Sequence, residues 1–136
     1  MFTLDTNTLI YFFKGVGRVG ERLLSMAPAD VSVPAVVLYE LEVGIAKSSS
    51  PEARRVQLSR LLGAIQILPF DQAAARRAAT VRARLERAGT PIGPYDTLIA
   101  GTAMAHNRVL VTHNTAEFGR IDGLQLEDWY GPSNPD

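Results

Sequence analysis

The sequence predicts an α/β domain in which a short, mainly parallel sheet is flanked by helices. Two apolar runs without alternation, FTL at residues 2–4 and VLV at residues 109–111, are typical of strands that are buried on both faces of a parallel sheet. Segments with helix-start signals lie between the candidate strands. Strands that alternate with helices indicate crossover connections, which favour a parallel sheet.

Length and composition fit one domain. The chain has 136 residues, and 46% of them are hydrophobic, which is enough for one core of ordinary size. We expect this domain to cover residues 1–130, with residues 131–136 as a short, frayed tail. No signal peptide is recognisable, and no apolar run approaches the ~20 residues that would cross a bilayer. We therefore expect a cytoplasmic protein that does not associate with membranes.

Charge and cysteine content narrow the possible chemistry. The chain has 14 basic and 14 acidic residues, so its net charge says nothing about partners. It contains no cysteine, which excludes disulfides, thiolate metal sites and cysteine nucleophiles and fits a reducing compartment. Any catalytic chemistry must therefore rely on oxygen and imidazole groups.

The first half of the chain alternates strand and helix signals. After the strand at residues 2–4, Asp5 and Thr6 are good caps for a following helix. A strand is predicted at residues 31–33, and a helix begins near Pro34. Ser50 before Pro51 marks the start of the next helix, and residues 65–68 form another candidate strand.

The second half begins with a long amphipathic helix. Asp71 opens this helix and Gly89 ends it, and its apolar residues recur at helical spacing to form one stripe. This stripe comprises Ala74, Ala78, Val81, Leu85 and Ala88. A further helix starts at Gly93-Pro94 and precedes the VLV strand, and residues 125–126 are predicted as an edge strand.

Polar residues directly follow two of the strands. Asp5 follows the first apolar run, and Thr112, His113 and Asn114 follow VLV. Parallel strands end at one edge of a sheet, and crossover helices run antiparallel to them, so Asp96 in the first turn of its helix also reaches this edge. Open α/β sheets bind ligands outside the carboxyl ends of their strands. The sequence thus predicts a site at this edge.

Further carboxylates are placed near the same edge. Glu40 and Glu42 lie on the helix that begins near Pro34, and its apolar residues on all sides leave the choice between them open. Glu117 follows VLV by a few residues and is either a ligand or a solvated loop residue. Clustered carboxylates raise one another's pKa unless a cation intervenes, and a hard divalent ion with oxygen ligands is the simplest remedy.

Simpler interpretations exist for each residue. Asp5 and Asp96 both stand at helix starts, where a carboxylate caps backbone donors. However, the apolar neighbours Ile99 and Ala100 direct Asp96 towards packed structure. His106 is expected at a helix C-terminus, and neither histidine belongs to a zinc-type spacing.

The sequence lacks the motifs of several other enzyme classes. It contains no serine-hydrolase elbow, P-loop or dinucleotide fingerprint. A haloacid-dehalogenase-like phosphatase would use an Asp after the first strand and an acid two residues later, but Asn7 occupies that later position. A lysine near the end of the catalytic half is also missing. We keep this class as the less favoured enzymatic alternative.

Four motifs in fixed order resemble those of the PIN-domain ribonucleases, specifically the VapC-type toxins of bacterial type II toxin–antitoxin modules. They are LDTNTLI, LYELEVG, IGPYDTLIAGTAMAH and LVTHNTAEFGRIDGLQLEDW, and together they extend from Leu4 to Trp129. The resemblance implies a PIN-like three-layer α/β/α fold, with residues 1–130 as the nuclease domain. It also selects Glu40 over Glu42 as the acidic residue of the site.

The resemblance implies a Mg²⁺- or Mn²⁺-dependent endoribonuclease. The metal ligands carry over to Asp5, Glu40 and Asp96, with Glu117 at a fourth position where many relatives have Asp; His113 stands where relatives often have Asn. The full catalytic set implied is Asp5, Asn7, Glu40, Asp96, Thr112, Asn114 and Glu117, with Thr6 as a further hydrogen-bonding group.

The resemblance also implies partners. The expected substrate is structured RNA, commonly transfer RNA, and the most similar family members include ones that attack initiator transfer RNA. A homodimer and a neutralising VapB-type antitoxin, whose C-terminal segment crosses the active-site groove, are expected. The alternative is a catalytically inactive PIN-like module that binds RNA or protein.

Arginines between residues 54 and 87 offer a surface for RNA. They are Arg54, Arg55, Arg60, Arg76, Arg77, Arg82, Arg84 and Arg87. Arginine suits the geometry of phosphate, and a basic surface attracts a polyanion. The alternative is a solvated helix face with internal pairs such as Arg82 with Glu86.

Overall fold

A computed structural model of the chain describes residues 1–132 and contains one five-stranded sheet. Residues 133–136, which hold most of the predicted tail, lie outside the described residues. The strands are β1 (Phe2–Leu4), β2 (Val31–Pro34), β3 (Gln66–Leu68), β4 (Val109–Val111) and β5 (Leu126–Glu127). Their order is β3-β2-β1-β4-β5, and every neighbouring pair is parallel.

Helices connect the strands and cover the sheet. Within residues 1–132 there are seven α-helices and one 3₁₀ turn at Pro28–Asp30. The α-helices are α1 (Thr6–Lys14), α2 (Val19–Leu24), α3 (Ala35–Ala46), α4 (Pro51–Leu62), α5 (Gln72–Arg87), α6 (Pro94–Ala105) and α7 (Thr115–Phe118). Because parallel crossovers are right-handed, the connections from β1 to β3 cover one face and the β3–β4 connection covers the other. The predicted α/β class with a parallel sheet is confirmed.

The structure differs from the sequence prediction at short elements. The last strand is Leu126–Glu127, one residue later than predicted. Helices α2 and α7 have six and four residues and were not predicted. Segments of this length are too short to show a helical period, so they form where the neighbouring strands and turns allow them.

The predicted helix boundaries are largely those observed. The Asp5 side chain caps α1 by accepting the Thr8 amide at 2.9 Å, and Asp71 caps α5 by accepting the Ala74 amide at 2.9 Å. Gly89 follows α5 with a φ of 73°, a left-handed conformation that favours glycine. Ser50 precedes α4, but its side chain forms no capping hydrogen bond, so Pro51 is the effective start signal.

Helices α5 and α6 pack closely against each other. The predicted apolar stripe of α5 is buried at Ala74, Ala78, Val81 and Leu85. A Cβ atom added to Gly101 of α6 would lie 2.6 Å from the Ala78 Cβ and 2.7 Å from the Ala78 backbone nitrogen. The backbones of the two helices therefore approach each other closely at this point.

No helix within the described residues is both long enough and apolar enough to traverse a bilayer.

We predict opposite effects for two glycine-to-alanine substitutions. Gly101→Ala should destabilise the protein by about 1–3 kcal/mol, because the new methyl group collides with backbone atoms of α5. Gly44→Ala in α3 should stabilise it by about 0.5–1 kcal/mol, because nothing lies within 4 Å of the new Cβ and alanine favours the helix. Urea unfolding of both variants tests the contact, and equal stabilities would contradict it.

Candidate active site

The end of β1 places Asp5 in a buried position at the carboxyl edge of the sheet. Its backbone N–H donates to the Val111 carbonyl at 3.1 Å, so the pairing of β1 with β4 continues to this residue. The Asp5 side chain is only 4% exposed. Burial raises the pKa of its carboxyl group, and hydrogen bonds from Thr112 and Thr8 partly oppose this shift. Hydrogen bonds therefore hold the Asp5 side chain in place, although burial disfavours its charged form.

The end of β4 supplies the polar groups beside Asp5. Thr112 is fully buried, and its hydroxyl group forms a hydrogen bond with the Asp5 carboxylate. The same hydroxyl oxygen accepts a hydrogen bond from the backbone N–H of Asn114 at 3.0 Å. Asn114 in turn donates its Nδ2 to the Glu117 carboxylate at 3.0 Å. This chain of hydrogen bonds connects the ends of β1 and β4 to α7.

The side chains of Glu40 and Glu42 have different partners in the structure. The Oε1 atom of Glu40 accepts a hydrogen bond of 2.8 Å from the Thr6 hydroxyl group, which lies next to Asp5 on the first turn of α1. Glu42 instead forms an ion pair of 3.0 Å with Arg55 of α4. Glu40 therefore faces the carboxyl edge, whereas Glu42 faces α4.

Asp96 shows that the carboxylates share one electrostatic environment. It lies in the first turn of α6 and is half-buried. Burial, followed by the negative charges of Asp5, Glu40 and Glu117, raises the pKa of the Asp96 carboxyl group to about 6. Carboxylates at the end of β1, on α3 and on α7 thus repel the charged form of Asp96 on α6.

An aromatic and ionic cluster borders this site. The His113 Nδ1 atom lies 2.8 Å from the Asp128 Oδ2 atom, and the His113 ring stacks on Tyr130 at 4.2 Å between centroids. The ring edge of Tyr11 also contacts His113. The Asp128 charge contributes to the raised pKa of Asp5. This cluster therefore acts on the site through charge.

Sequence reasoning missed Asp128. It directly follows β5, as Asp5 follows β1 and Thr112 follows β4, so the rule that placed those two residues applies to it as well. Placing the last strand at residues 125–126 shifted the strand end by one residue and hid this position. A strand of two residues, Leu126–Glu127, is too short to show a periodic signal that would correct the boundary.

Two residues considered from the sequence lie apart from this group. Asn7 is exposed on α1, and within residues 1–132 no side-chain hydrogen bond connects it to the carboxylates. His106 caps the C-terminus of α6 as predicted, with its Nε2 atom 3.2 Å from the Pro69 carbonyl and 3.7 Å from Asp71. This is the opposite end of α6 from Asp96.

The donor chemistry of the site fits a hard divalent cation. All four carboxylates are oxygen donors, and none of them forms an ion pair with Lys, Arg or His in the part of the chain that the structure describes. In this conformation, however, no three Asp, Glu or His side chains of residues 1–132 are arranged around a single ion position. The four carboxylates therefore lie in one region of the structure but do not surround a common ion position.

Comparison with known proteins identifies the family. The model of the PIN domain matches residues 2–124. The tRNA(fMet)-specific endonuclease VapC of Salmonella typhimurium is 37% identical over 94% of this chain and 97% of its own length. Ribonuclease VapC2 of Rickettsia felis is 34% identical over 95% of this chain and 98% of its own length.

Solved structures agree with the sequence relatives. The VapBC2 complex of Rickettsia felis bound to a promoter DNA fragment contains a chain of TM-score 0.88 and 34% identity, with 94% of this chain and 98% of that chain covered. The DNA-bound VapBC complex of Salmonella typhimurium gives a TM-score of 0.88 at 38% identity, covering 94% and 97%. Similarity of this extent, in sequence and in fold, shows that the chain belongs to the PIN-domain family and is a VapC-type ribonuclease.

Proposed function

We propose that the chain is a Mg²⁺- or Mn²⁺-dependent endoribonuclease toxin that hydrolyses phosphodiester bonds of structured RNA. The observation that carries this proposal is the convergence of the charges of Asp5, Glu40 and Glu117 on Asp96 at the carboxyl edge of the sheet. Burial and repulsion of this kind, which raise the pKa of the Asp5 and Asp96 carboxyl groups, favour the binding of a compensating cation.

Each residue has a proposed role. Asp5 and Asp96 would bind the cation directly, and Asp5 is positioned for this by hydrogen bonds from Thr8 and Thr112. When bound, a divalent cation would supply the Lewis acidity that activates water and neutralises charge on the phosphate. Glu40 would orient or deprotonate the attacking water, and because Thr6 occupies Oε1, its Oε2 atom is the proposed proton acceptor.

The remaining polar residues play supporting roles in this proposal. Asn114 holds Glu117 at 3.0 Å, so Glu117 would assist the cation from the periphery of the site. Thr112 and Asn114 would keep the ends of β1 and β4 at a constant separation. Asn7 would contact the substrate, because it is exposed on the same turn of α1 that carries Thr6.

We propose transfer RNA, including initiator transfer RNA, as the substrate. We further propose that the protein acts in the cytoplasm. Support comes from the Salmonella relative, whose name specifies tRNA(fMet), at 37% identity over nearly the whole chain. The alternative of a catalytically inactive PIN-like module is less well supported, because all the acidic positions are present and gathered at one edge.

The proposed partners are a VapB-type antitoxin and a second copy of the chain. A groove of about 200 Å³ between α1, α3 and α4 borders Glu40 and is lined by apolar side chains such as Phe13 and Leu58. We propose this groove for the antitoxin, since the relatives of known structure are VapBC complexes. Exposed Tyr39 and Val43 on α3, with Tyr95 of α6, form the apolar surface proposed for a homodimer.

Asp5→Asn and Asp96→Asn should each lower RNA cleavage by at least about a hundredfold, because both variants keep the side-chain shape and lose the charge that binds the cation. In wild type, Mn²⁺ should also raise the melting temperature, since a cation that binds the folded state stabilises it by mass action. The variants should show a smaller rise. Cleavage at the wild-type rate by either purified variant would contradict the proposal.

Glu40→Gln should impair cleavage strongly, and Glu42→Gln should leave it within about threefold of wild type. The two variants remove one charge each from neighbouring positions of α3, but only Glu40 faces the site, whereas Glu42 forms an exposed ion pair with Arg55. Single-turnover cleavage at saturating Mn²⁺ compares them directly. The reverse ranking would assign the catalytic role to Glu42.

Without metal, Asp96→Asn should stabilise the protein at pH 8 and have little effect below about pH 3. The folded-state pKa of Asp96 is about 6, above its ordinary value of 3.8. At low pH the carboxyl group is protonated in both the folded and the unfolded states. As the pH rises between these two pKa values, the Asp96 carboxyl group ionises first in the unfolded state, so the wild type loses stability. Melting temperatures in EDTA test this, with exposed Asp30→Asn as the control.

A further inference from the structure

The arginines of α4 and α5 differ in whether they form ion pairs. Arg55 forms an ion pair of 3.0 Å with Glu42, and the Arg82 Nε atom lies 2.6 Å from Glu86. These pairs agree with the interpretation of a solvated helix face. In contrast, Arg76, Arg77 and Arg84 form no ion pair within residues 1–132. These arginines are available to bind an anion.

These unpaired arginines line a cleft between α5 and the segment that follows α7. The cleft has a volume of about 610 Å³. Four arginines contribute to its wall, together with the Thr80 hydroxyl group, whereas Asp122 is the only acidic residue among its lining residues; the arginines are Arg76, Arg77, Arg84 and Arg120. The cleft therefore carries an uncompensated positive charge.

The spacing of the cleft suits an extended anion. Arg76, Thr80 and Arg84 are four residues apart and lie on one face of α5, so the two guanidinium groups are anchored about 12 Å apart along the helix axis. A single inorganic phosphate does not span this distance. A polyanion with regularly repeated phosphates does, and arginine binds each phosphate through two parallel hydrogen bonds.

The chain connects Glu117 of α7 to the cleft through the segment that follows this helix. Arg120 follows α7, and its backbone N–H donates to the Glu117 carbonyl at 3.1 Å. Its Nη1 atom donates to the Pro91 carbonyl at 3.1 Å, which fixes the guanidinium group near the loop that leads into α6. Residues 117–120 thus connect Glu117 of α7 with Arg120 in the wall of the cleft.

We propose that this cleft binds backbone phosphates of the RNA substrate outside the cleavage site. The inference rests on the proposed function and adds a binding site to it. RNA that is cleaved at the carboxylates would pass Arg120 and follow α5, where Arg84 and Arg76 neutralise successive phosphates. Contacts to phosphates carry no sequence information, so the cleft would contribute affinity and orientation and not base specificity. A short substrate bound at the carboxylates would not reach the cleft.

A pair of double variants tests the proposal. Arg76→Gln with Arg84→Gln removes two charges from the cleft. Arg60→Gln with Arg87→Gln is the matched control, because it removes two exposed arginines of α4 and α5 that do not line the cleft and form no ion pair within the described residues. Both double variants have the same net charge. Each is also combined with Asp96→Asn to measure binding without cleavage.

The readout is fluorescence anisotropy with labelled initiator transfer RNA and with a labelled pentanucleotide, across a KCl titration. Each lost phosphate contact should reduce the slope of log K against log salt by about 0.7–0.9. We expect the cleft variant to bind transfer RNA about tenfold more weakly with a slope reduced by about 1.5, and the control to remain within about twofold. Binding of the pentanucleotide should not change in either variant.

Several outcomes would overturn the inference. Equal affinities and slopes for the cleft and control variants would show that the cleft does not contact RNA. A change of oligomeric state in the cleft variant alone, measured by light scattering, would assign the cleft to a second copy of the chain. If these outcomes occur while the wild type still cleaves transfer RNA with Mn²⁺, only the cleft proposal fails. If the wild type neither binds nor cleaves RNA, the proposed function fails with it.

Discussion

The parallel pairing of β1 between β2 and β4 is the constraint on which the site depends. The Val111 carbonyl accepts the Asp5 backbone N–H at 3.1 Å and the Thr8 hydroxyl group at 3.2 Å. The end of β4 therefore holds both the start of α1 and the carboxylate that caps it. From this central strand the chain crosses first to β2 and later to β4, so the connections diverge and leave a crevice above Asp5.

Much of this arrangement could be predicted from the sequence, and the reasons are local. Buried strands read as short apolar runs, and Asp5, Asp71 and Gly89 are residues whose chemistry marks helix ends. The rule that parallel strands end together then places Asp5 and Thr112 side by side without any knowledge of their contacts. These signals need only a few neighbouring residues.

The remaining features depend on contacts that no local pattern encodes. The choice between Glu40 and Glu42 depends on which side of α3 faces α1, and α3 is apolar on nearly all sides; only the contacts with Thr6 and Arg55 separate the two. The position of Asp128 depends on a strand of two residues, whose register is set by pairing with β4. The division of the arginines into paired and unpaired groups is likewise a tertiary property.

The site and the fold make opposite demands on the same residues. Asp5 and Asp96 lie in surroundings that disfavour their charged forms, while α6, which carries Asp96, packs tightly on α5 through Gly101 and Ala78. Well-packed helices are what allow the repulsion to persist instead of being relieved by movement. Such local destabilisation is common where a protein must bind a ligand or cation.

The central position of β1 also has a consequence for synthesis on the ribosome. Phe2 pairs with Val109 in the sheet, so one of the first residues to emerge must wait for a partner that is translated more than a hundred residues later. Asp5 and Asp96 are also far apart along the nascent chain, and Thr112 is synthesised after every residue of α3. The candidate site therefore cannot assemble until the segment that contains β4 and Thr112 has been synthesised and can pair with β1.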